Sequence, residues 1–277
     1  MLVLITGSTG FLGREILSCL DKIGLNTRLI VRNKYSNVLS EFSNIEEIIE
    51  TKDLFMESIS WWEKACHGVD IVIHTAWYTK HANYMESEKN FDCLLGTLRL
   101  SKGACLSGVK KFISIGTCVE YDLSYNYLSV LTPLKPTSTY GKLKVSTFYA
   151  LSGLFQVNKI EFAWCRLFYL YGKGEKAQRL FPYIKESLKK GRIVELHNPN
   201  HVRDYLEIND AAEMIANIAL GKKNGAINIC SGIPITIQTF AENIADMYGK
   251  KHLIKPNVKN NNPSELDCVV GINEEDF

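Results

Sequence analysis

The sequence predicts an α/β fold, a doubly wound parallel sheet with a small C-terminal α/β lobe. Three observations predict it. Short apolar runs, as strands buried on both faces need, alternate with stretches of helical apolar spacing through the first 170 residues. A glycine motif, Thr6-Gly7-Ser8-Thr9-Gly10-Phe11-Leu12-Gly13, joins the first run to the first amphipathic stretch. The chain has 277 residues, 46% of them hydrophobic and 22% charged, which suits one core with an appended lobe.

Taken in order, Leu2-Val3-Leu4-Ile5 reads as the first strand. Phe11 to Ile23 carries Ile16, Leu17, Leu20 and Ile23 at helical spacing. Arg28 to Val31 is the next strand, and Ile45 to Ile49 a weaker one. Ser58 to Cys66 is helical, Val69 to His74 a buried strand, Asn90 to Ser107 a long helix and Lys111 to Ile115 a strand. Strands separated by helices imply right-handed crossovers and a parallel sheet. Tyr140 to Leu154 reads as a helix and Ile160 to Leu167 as a strand. Gly172 to Gly174 opens a looser region before a helix from Arg179 to Lys190. Asp210 to Leu220 and Thr236 to Tyr248 read as helices capped by Asp210 and Thr236. The polar tail from Lys255, with Asn260-Asn261-Asn262, reads as loop. The change of character near residue 170 is read as a change of role within one compact body, residues 1–170 against a smaller lobe of 171–277 with segments returning to the first.

Composition excludes several classes. Thirty-two Lys and Arg against thirty Asp and Glu leave a formal charge of +2, which is no footprint for nucleic acid. No run approaches the ~18 apolar residues of a membrane span, and no polybasic block suggests a membrane surface. The N-terminus lacks the basic region of a signal peptide and runs straight into glycines. Eight scattered cysteines without a C-x-x-C pair read as small buried hydrophobes in a reducing, cytoplasmic setting. His74, His81, His197 and His201 lack ligand spacing, so no metal is expected.

The glycine motif carries the first chemistry. Gly7 permits a tight turn off the strand, Gly10 lets backbone approach a pyrophosphate, and Gly13 lets the helix pack close on the sheet. The anion would rest on free N–H groups at the helix N-terminus. Tyr140-Gly141-Lys142-Leu143-Lys144 carries the second: a spacing of four puts Tyr140 and Lys144 one turn apart on one helical face. A nearby ammonium is expected to lower the phenol from its ordinary value of about 10 toward the working pH. The second strand ends Val31-Arg32-Asn33-Lys34, where an acid would bind a ribose 2′-hydroxyl and an arginine accommodates a 2′-phosphate. Arg14, just past Gly13, offers a second charge there.

With TGSTGFLG, the G-x-x-G-x-x-G spacing resembles the short-chain dehydrogenase/reductase superfamily in its extended, sugar-nucleotide-modifying branch, whose fold is Rossmann-type. The remaining motifs follow in order from residue 2 to about residue 250: Asp53-Leu54 after the third strand, His74-Thr75-Ala76 ending the fourth, Asn90 at a helix start, Ile115-Gly116-Thr117 closing the fifth, Tyr140-x-x-x-Lys144, and Arg203-Asp204-Tyr205-Leu206-Glu207-Ile208. The resemblance implies a catalytic set of Thr117, Tyr140 and Lys144. Tyr140 donates a proton to a substrate carbonyl, Thr117 bonds the same oxygen, and Lys144 holds the nicotinamide ribose. It places the cofactor on Gly7, Thr9, Gly10, Phe11, Leu12 and Gly13, on Arg32, Asp53 and Leu54, and on Thr75, Ala76, Trp77 and Asn90, together with Tyr140 and Lys144. The charge at Arg32 favours NADPH, with NAD(H) as the alternative. A homodimer through the helices beginning near Asn90 and Tyr140 is also implied.

The branch includes dehydratases, epimerases and ketoreductases. Its dehydratases place an acidic pair directly after the catalytic Thr, where this chain has Cys118-Val119; Glu120 is one residue too far, and strand alternation is expected to aim it away from the site. Epimerase-reductases carry a cysteine two residues after the catalytic Ser, a position held here by Val119. A C4 ketoreductase and an NAD-dependent 4-epimerase remain. Ala76-Trp77-Tyr78, Gly116 to Tyr121 and Phe168 to Gly172 resemble a subgroup that reduces nucleotide-diphosphate 4-keto-6-deoxyhexoses, or 3,6-dideoxy relatives, for surface polysaccharides such as O-antigen lipopolysaccharide. Arg203 is the best candidate for the substrate diphosphate and Arg179 a second. Trp77, Tyr78 and Tyr169 are candidates for lining the sugar or base pocket, with Tyr169 standing where many members of the branch have an Asn. A non-catalytic, NADPH-sensing protein on the same fold is the alternative from another class.

Overall fold

A computed structural model describes residues 1–32, 39–79, 83–257 and 266–273. Asn33, Lys34, His81 and Asn260 to Asn262 lie outside the described residues. The strands, in chain order, are β1 (Leu2–Thr6), β2 (Asn26–Val31), β3 (Ile45–Glu50), β4 (Ile71–His74), β5 (Lys111–Thr117), β6 (Tyr127–Leu128), β7 (Glu161–Leu167), β8 (Tyr169–Tyr171), β9 (Val194–His197), β10 (Val202–Glu207), β11 (Gly225–Ile229), β12 (Pro234–Thr236), β13 (Ile254–Asn257) and β14 (Cys268–Gly271). The helices are α1 (Phe11–Lys22), α2 (Ile59–Ala65), α3 (Lys89–Leu106), α4 (Thr139–Asn158), α5 (Leu180–Lys189), α6 (Ile208–Leu220) and α7 (Ile237–Asp246).

Seven strands form one parallel sheet in the order β11-β7-β5-β4-β1-β2-β3. Its two faces read straight from the alternation along β1. Val3 and Ile5 join Ile16, Leu17 and Leu20 of α1 and Ile208, Ala212 and Ile215 of α6. Leu2 and Leu4 join Trp62 of α2, Leu100 of α3 and Leu151 and Phe155 of α4. A strand covered on both faces is apolar at most positions, which is why β1 and β4 carry runs broken only at their last residues, Thr6 and His74, while β5 admits the buried Lys111 and Ser114. The strand order reverses between β1 and β4, and the crevice outside their carboxyl ends is where open sheets of this kind hold ligands.

Much of the remaining chain builds a second, smaller layer. β12, β10, β14 and β6 pair in that order, β8 pairs with β10, and β9 pairs with β13. The expectation of a loop after Lys255 is corrected here: β13 lies beside β9, and β14 is held between β10 and β6 with Val269 and Val270 buried. The cap of α6 is also corrected. Glu207, not Asp210, is the N-cap, and Asp210 lies in the first turn, where its charge meets the positive helix end. Thr236 caps α7 as expected, accepting a bond from Thr239 N–H at 3.0 Å.

Candidate active site

The glycine turn sits at the carboxyl end of β1. Gly7 has φ +74°, a region that favours glycine, and a Cβ there would lie 2.6 Å from Thr75 Oγ1 and 2.9 Å from Ala76 N. A Cβ on Gly13 would lie 2.2 Å from Gly7 O, so α1 packs directly on the turn. Gly10 is exposed, and a Cβ there would meet only Gly7 O at 3.1 Å, leaving its outer side open for close approach. Gly10 is also the N-cap of α1, with no side-chain cap and no acid in the first turn, and Thr9 is exposed beside it. The buried Ser8 Oγ in the same turn has no hydrogen-bond partner among the described residues. An uncapped helix end, an open glycine and an unsatisfied hydroxyl fit the pyrophosphate of a dinucleotide.

Around this turn the expected contacts lie at neighbouring strand ends. Arg32 is exposed just past β2 and forms no ion pair with a described residue. Arg14 is different: its guanidinium pairs with Glu41 at 2.8 Å, so the second free charge expected from the sequence is already partnered. Asp53 follows β3 and caps a short 3₁₀ turn through Phe55 N–H at 3.0 Å, with Leu54 buried behind it. Thr75 Oγ1 donates to Thr6 O at 2.8 Å, and Ala76 N–H lies 3.4 Å from Thr6 Oγ1. His74 is wholly buried between Thr6 Oγ1 and Thr97 Oγ1, at 2.7 and 2.9 Å. Burial pushes its imidazole down to about 3, so it is a neutral strut.

Thr117 ends β5, and α4 brings Tyr140 and Lys144 to it. Ser138 caps α4 by accepting Gly141 N–H at 3.1 Å, which fixes where Tyr140 enters. The Thr117 side chain stands beside the Tyr140 phenol and opposes the rise that burial causes in it. Lys144 Nζ donates to Ile115 O at 2.7 Å, lies 5.8 Å from the Tyr140 ring centre and sits 3.6 Å from the centre of the Trp77 ring. Trp77 Nε1 donates to Asn90 Oδ1 at 2.8 Å, while Asn90 Nδ2 donates to Ser87 O at 2.9 Å and to Tyr84 O. Asn90 therefore spends its amide on holding Trp77 and the chain beside it. The electrostatics correct the expectation for Tyr140. Burial pushes its phenol well above the ordinary value, and neighbouring Tyr84 and Glu120 add to that, while Thr117 opposes it. Burial also lowers the Lys144 ammonium to about 7, with Glu120 and Cys93 opposing the fall. Desolvation dominates both groups because each is enclosed.

One residue missed by the sequence reading, Tyr84, and one that it set aside, Glu120, belong here. Tyr84, from a short 3₁₀ turn before α3, packs edge-on against Tyr140 with ring centres 5.2 Å apart. Glu120 is corrected in position and surroundings. It lies in a 3₁₀ turn, not a strand, and its buried carboxylate accepts from Thr117 N–H at 2.8 Å and pairs with Arg166 Nε at 2.7 Å. Cys118, between them, is buried and its thiol is pushed up to about 12, outside the range of acid–base work.

The proposed substrate residues lie toward the second layer. Arg203, on β10, is buried, with its guanidinium carbon 5.4 Å from the Tyr169 ring centre. It donates to Val202 O at 2.9 Å and has His201 Nδ1 at 3.3 Å, but makes no ion pair with Asp204 or Asp210. Asp204 instead accepts from Ser231, Gly232 and Gly271. A buried guanidinium without a carboxylate among the described residues is suited to an anion. Tyr169, on β8, packs against Tyr205, and its phenol is pushed up by burial with Arg203 opposing. Tyr78 follows β4, its N–H bonded to Cys93 Sγ at 3.3 Å. Arg179 is exposed at the N-terminus of α5. Near it Glu175 has one buried oxygen without a partner among the described residues, and burial raises its carboxyl to about 7. No group of His, Cys, Asp and Glu among the described residues is arranged to hold a metal, and all eight cysteines are free thiols. No described helix is long and apolar enough to cross a membrane.

This combination of fold and site matches a known class. Residues 3–230 match the NAD dependent epimerase/dehydratase family, and the chain belongs to that family and is an enzyme. Among individual proteins, it is 27% identical over 260 residues to an uncharacterised membrane protein of Methanocaldococcus jannaschii, covering 92% of this chain and 73% of that protein. It is 23% identical over 270 residues to dTDP-6-deoxy-L-talose 4-dehydrogenase (NAD(+)) of Aggregatibacter actinomycetemcomitans, covering 92% and 93%. Among solved structures, the UDP-glucose 4-epimerase of Thermus thermophilus in complex with NAD superimposes with a TM-score of 0.83 at 22% identity, covering 99% of this chain and 91% of that one.

Proposed function

We propose that the protein is an NADPH-dependent reductase of the C4 keto group of a nucleotide-diphosphate 4-keto-6-deoxyhexose, or of a 3,6-dideoxy relative. The observation that carries this reading is the grouping of Thr117, Tyr140 and Lys144 at the end of β5 without an acid–base pair beside it. Cys118 is buried, Val119 has no acid, and Glu120 is committed to Arg166, so elimination of water lacks its extra groups. The relative named as a 4-dehydrogenase of a deoxysugar nucleotide supports chemistry at C4.

In this reading a bound nicotinamide supplies the hydride. Tyr140 keeps its proton until the carbonyl oxygen takes it, which its enclosure favours because burial disfavours the phenolate. Thr117 holds the same oxygen, and Lys144 turns its ammonium toward the ribose from between Ile115 O and Trp77. The glycine turn, Asp53, Leu54, Thr75 and Ala76 hold the dinucleotide, and Arg32 meets a 2′-phosphate. NAD(H) is the alternative cofactor, supported by the family and by the NAD(+) in the name of the 4-dehydrogenase relative. Arg203 grips the diphosphate, with Arg179, Tyr169 and Tyr78 nearer the nucleotide and sugar. The body of residues 1–170 then serves the cofactor and 171–277 the substrate. A homodimer through α3 and α4 goes with this reading, since Phe91, Leu95 and Tyr149 are exposed on these helices.

The test is loss of NADPH absorbance with a panel of dTDP-, GDP- and CDP-4-keto-6-deoxyhexoses, with NADH in parallel. Stoichiometric oxidation with one nucleotide is the expected result. No oxidation, together with NAD retained on the purified protein, replaces the reading with a nucleotide-sugar 4-epimerase on the same three residues. Saturable NADPH binding without turnover of any of these sugars would make the protein a sensor instead.

A further inference from the structure

Glu120 is wholly buried, and its two oxygens accept four donated contacts. Oε1 takes Thr117 N–H at 2.8 Å and Trp164 Nε1–H at 3.1 Å, while Oε2 takes the same indole at 3.0 Å and Arg166 Nε at 2.7 Å. The carboxylate has no room to shift, because a Cβ on Gly116 would already lie 2.7 Å from Oε1 and 2.3 Å from the indole nitrogen. Arg166 passes the network on to Tyr121 Oη at 3.0 Å, and Tyr121 Oη donates to Asn228 Oδ1 at 2.7 Å. The bond to Thr117 N–H closes a capping box in which Thr117 Oγ1 accepts from Val119 N–H, so the carboxylate that neutralises Arg166 also grips the backbone at the strand end. Thr117 is in turn the residue whose side chain stands beside the Tyr140 phenol.

Resting on the reading of Thr117, Tyr140 and Lys144 as the acid–base set, we propose that Glu120 is a positioning residue for it: the carboxylate holds Thr117 by its backbone N–H and sets a negative charge beside Tyr140 and Lys144. Burial pushes the Glu120 carboxyl up, and Arg166, the Trp164 indole and Thr117 N–H oppose that, so the ionised form is the one the contacts are built for. The other groups facing the set are Cys118 and Tyr84 beside Tyr140, and Cys93 and His74 beside Lys144. Of these His74 is neutral and both thiols are pushed above their ordinary value, leaving Glu120 as the fixed anion. Its charge favours the ammonium of Lys144 and the protonated phenol of Tyr140, the forms that deliver a proton to a ketone.

The test reads Lys144 directly. In cofactor-free protein labelled with ¹³C-lysine, NMR follows the Lys144 ε-carbon, assigned by its loss in Lys144→Met. Glu120→Gln should move the titration midpoint to lower pH by roughly half a unit or more. Glu120→Asp keeps the charge but shortens the reach, so it should hold the midpoint near the native one. It should also lower kcat about tenfold with KM unchanged, because Thr117 is no longer held. An unchanged midpoint in Glu120→Gln, or native kcat in Glu120→Asp, overturns the proposal. Should Glu120→Gln fail to fold with Arg166 unpaired, Glu120→Gln with Arg166→Met removes both charges. Its midpoint should still fall below the native one, and an unchanged value overturns the proposal equally. The titration uses no sugar substrate, so a midpoint that shifts in a protein reducing no keto-sugar would refute the reaction and leave the electrostatic role standing.

Discussion

Lys144 is a cation held out of water by an aromatic face, a carbonyl and a distant carboxylate, and that arrangement has a thermodynamic signature. Its ammonium falls to about 7 when folded, against 10.5 in the ordinary state. Below pH 7 both folded and unfolded chains carry the proton, and the folded state bears the cost of burying it. Between about 7 and 10.5 only the unfolded chain keeps the proton, so the Lys144 contribution to stability rises with pH across that window. Lys144→Met should therefore raise stability below pH 7, by on the order of 3–5 kcal/mol, with the gain fading toward pH 10.5. Thermal unfolding at several pH values measures it, and a gain independent of pH would contradict the assignment. Two further substitutions test single side chains. Tyr140→Phe should lower kcat by roughly 10²–10⁴ while the NADPH dissociation constant stays put, since the hydroxyl serves the proton and not the binding. Arg32→Asp should shift the kcat/KM preference from NADPH toward NADH, because a carboxylate repels the 2′-phosphate and accepts from the 2′-hydroxyl. An unaltered preference would place the phosphate elsewhere.

At the scale of elements, α1 depends on one missing carbon. A Cβ on Gly13 would lie 2.2 Å from Gly7 O and 2.8 Å from Gly7 C, so Gly13→Ala must push α1 off the turn. We expect a loss of about 3 kcal/mol and of NADPH binding together. Gly24→Ala meets nothing within 4 Å and should retain binding, with only the strain of its positive φ. Urea unfolding and NADPH titration of both variants separate the effects. Elements whose burial is uniform were the ones the sequence disclosed: β1 and β4 are apolar at nearly every position because helices cover both faces. The second layer was hidden for the opposite reason. β9 alternates buried and exposed residues over four positions, and β14 follows a polar stretch and becomes interior only because β10 and β6 flank it. In the site, the glycine spacing and the one-turn separation of Tyr140 and Lys144 are local patterns and legible. Glu120 is not, since its partners Trp164 and Arg166 lie 44 and 46 residues away, and neither is the enclosure that raises Tyr140 when a neighbouring ammonium alone would lower it.

For the whole molecule, the tail decides how the second layer is held to the large sheet. β14 pairs Cys268 and Val269 with Val202 and Arg203, and pairs Val270 and Gly271 with Tyr127 and Leu128. Gly271 N–H donates to the buried Asp204 carboxylate at 3.1 Å. Ile272 O accepts from Asn228 Nδ2 at 3.2 Å, on β11 at the edge of the large sheet. One strand thus ties the Arg203 strand to the network that ends at Glu120. Deleting residues 266–277 removes Val269 and Val270, whose burial contributes about 1.5–3 kcal/mol each, uncovers the edges of β10 and β6 that they pair with, and leaves Asp204 short of a donor. A total near 5 kcal/mol is comparable with the stability of many single domains. The deletion should therefore lower the midpoint of thermal unfolding by ten degrees or more, on the order expected for a chain of this size. In protein that stays folded at low temperature, sugar-nucleotide binding through Arg203 should weaken more than NADPH binding at the glycine turn, which shares no strand with β14. Calorimetric titration of the two ligands checks the order, and equal losses would mean that the tail stabilises the whole body without shaping the Arg203 side.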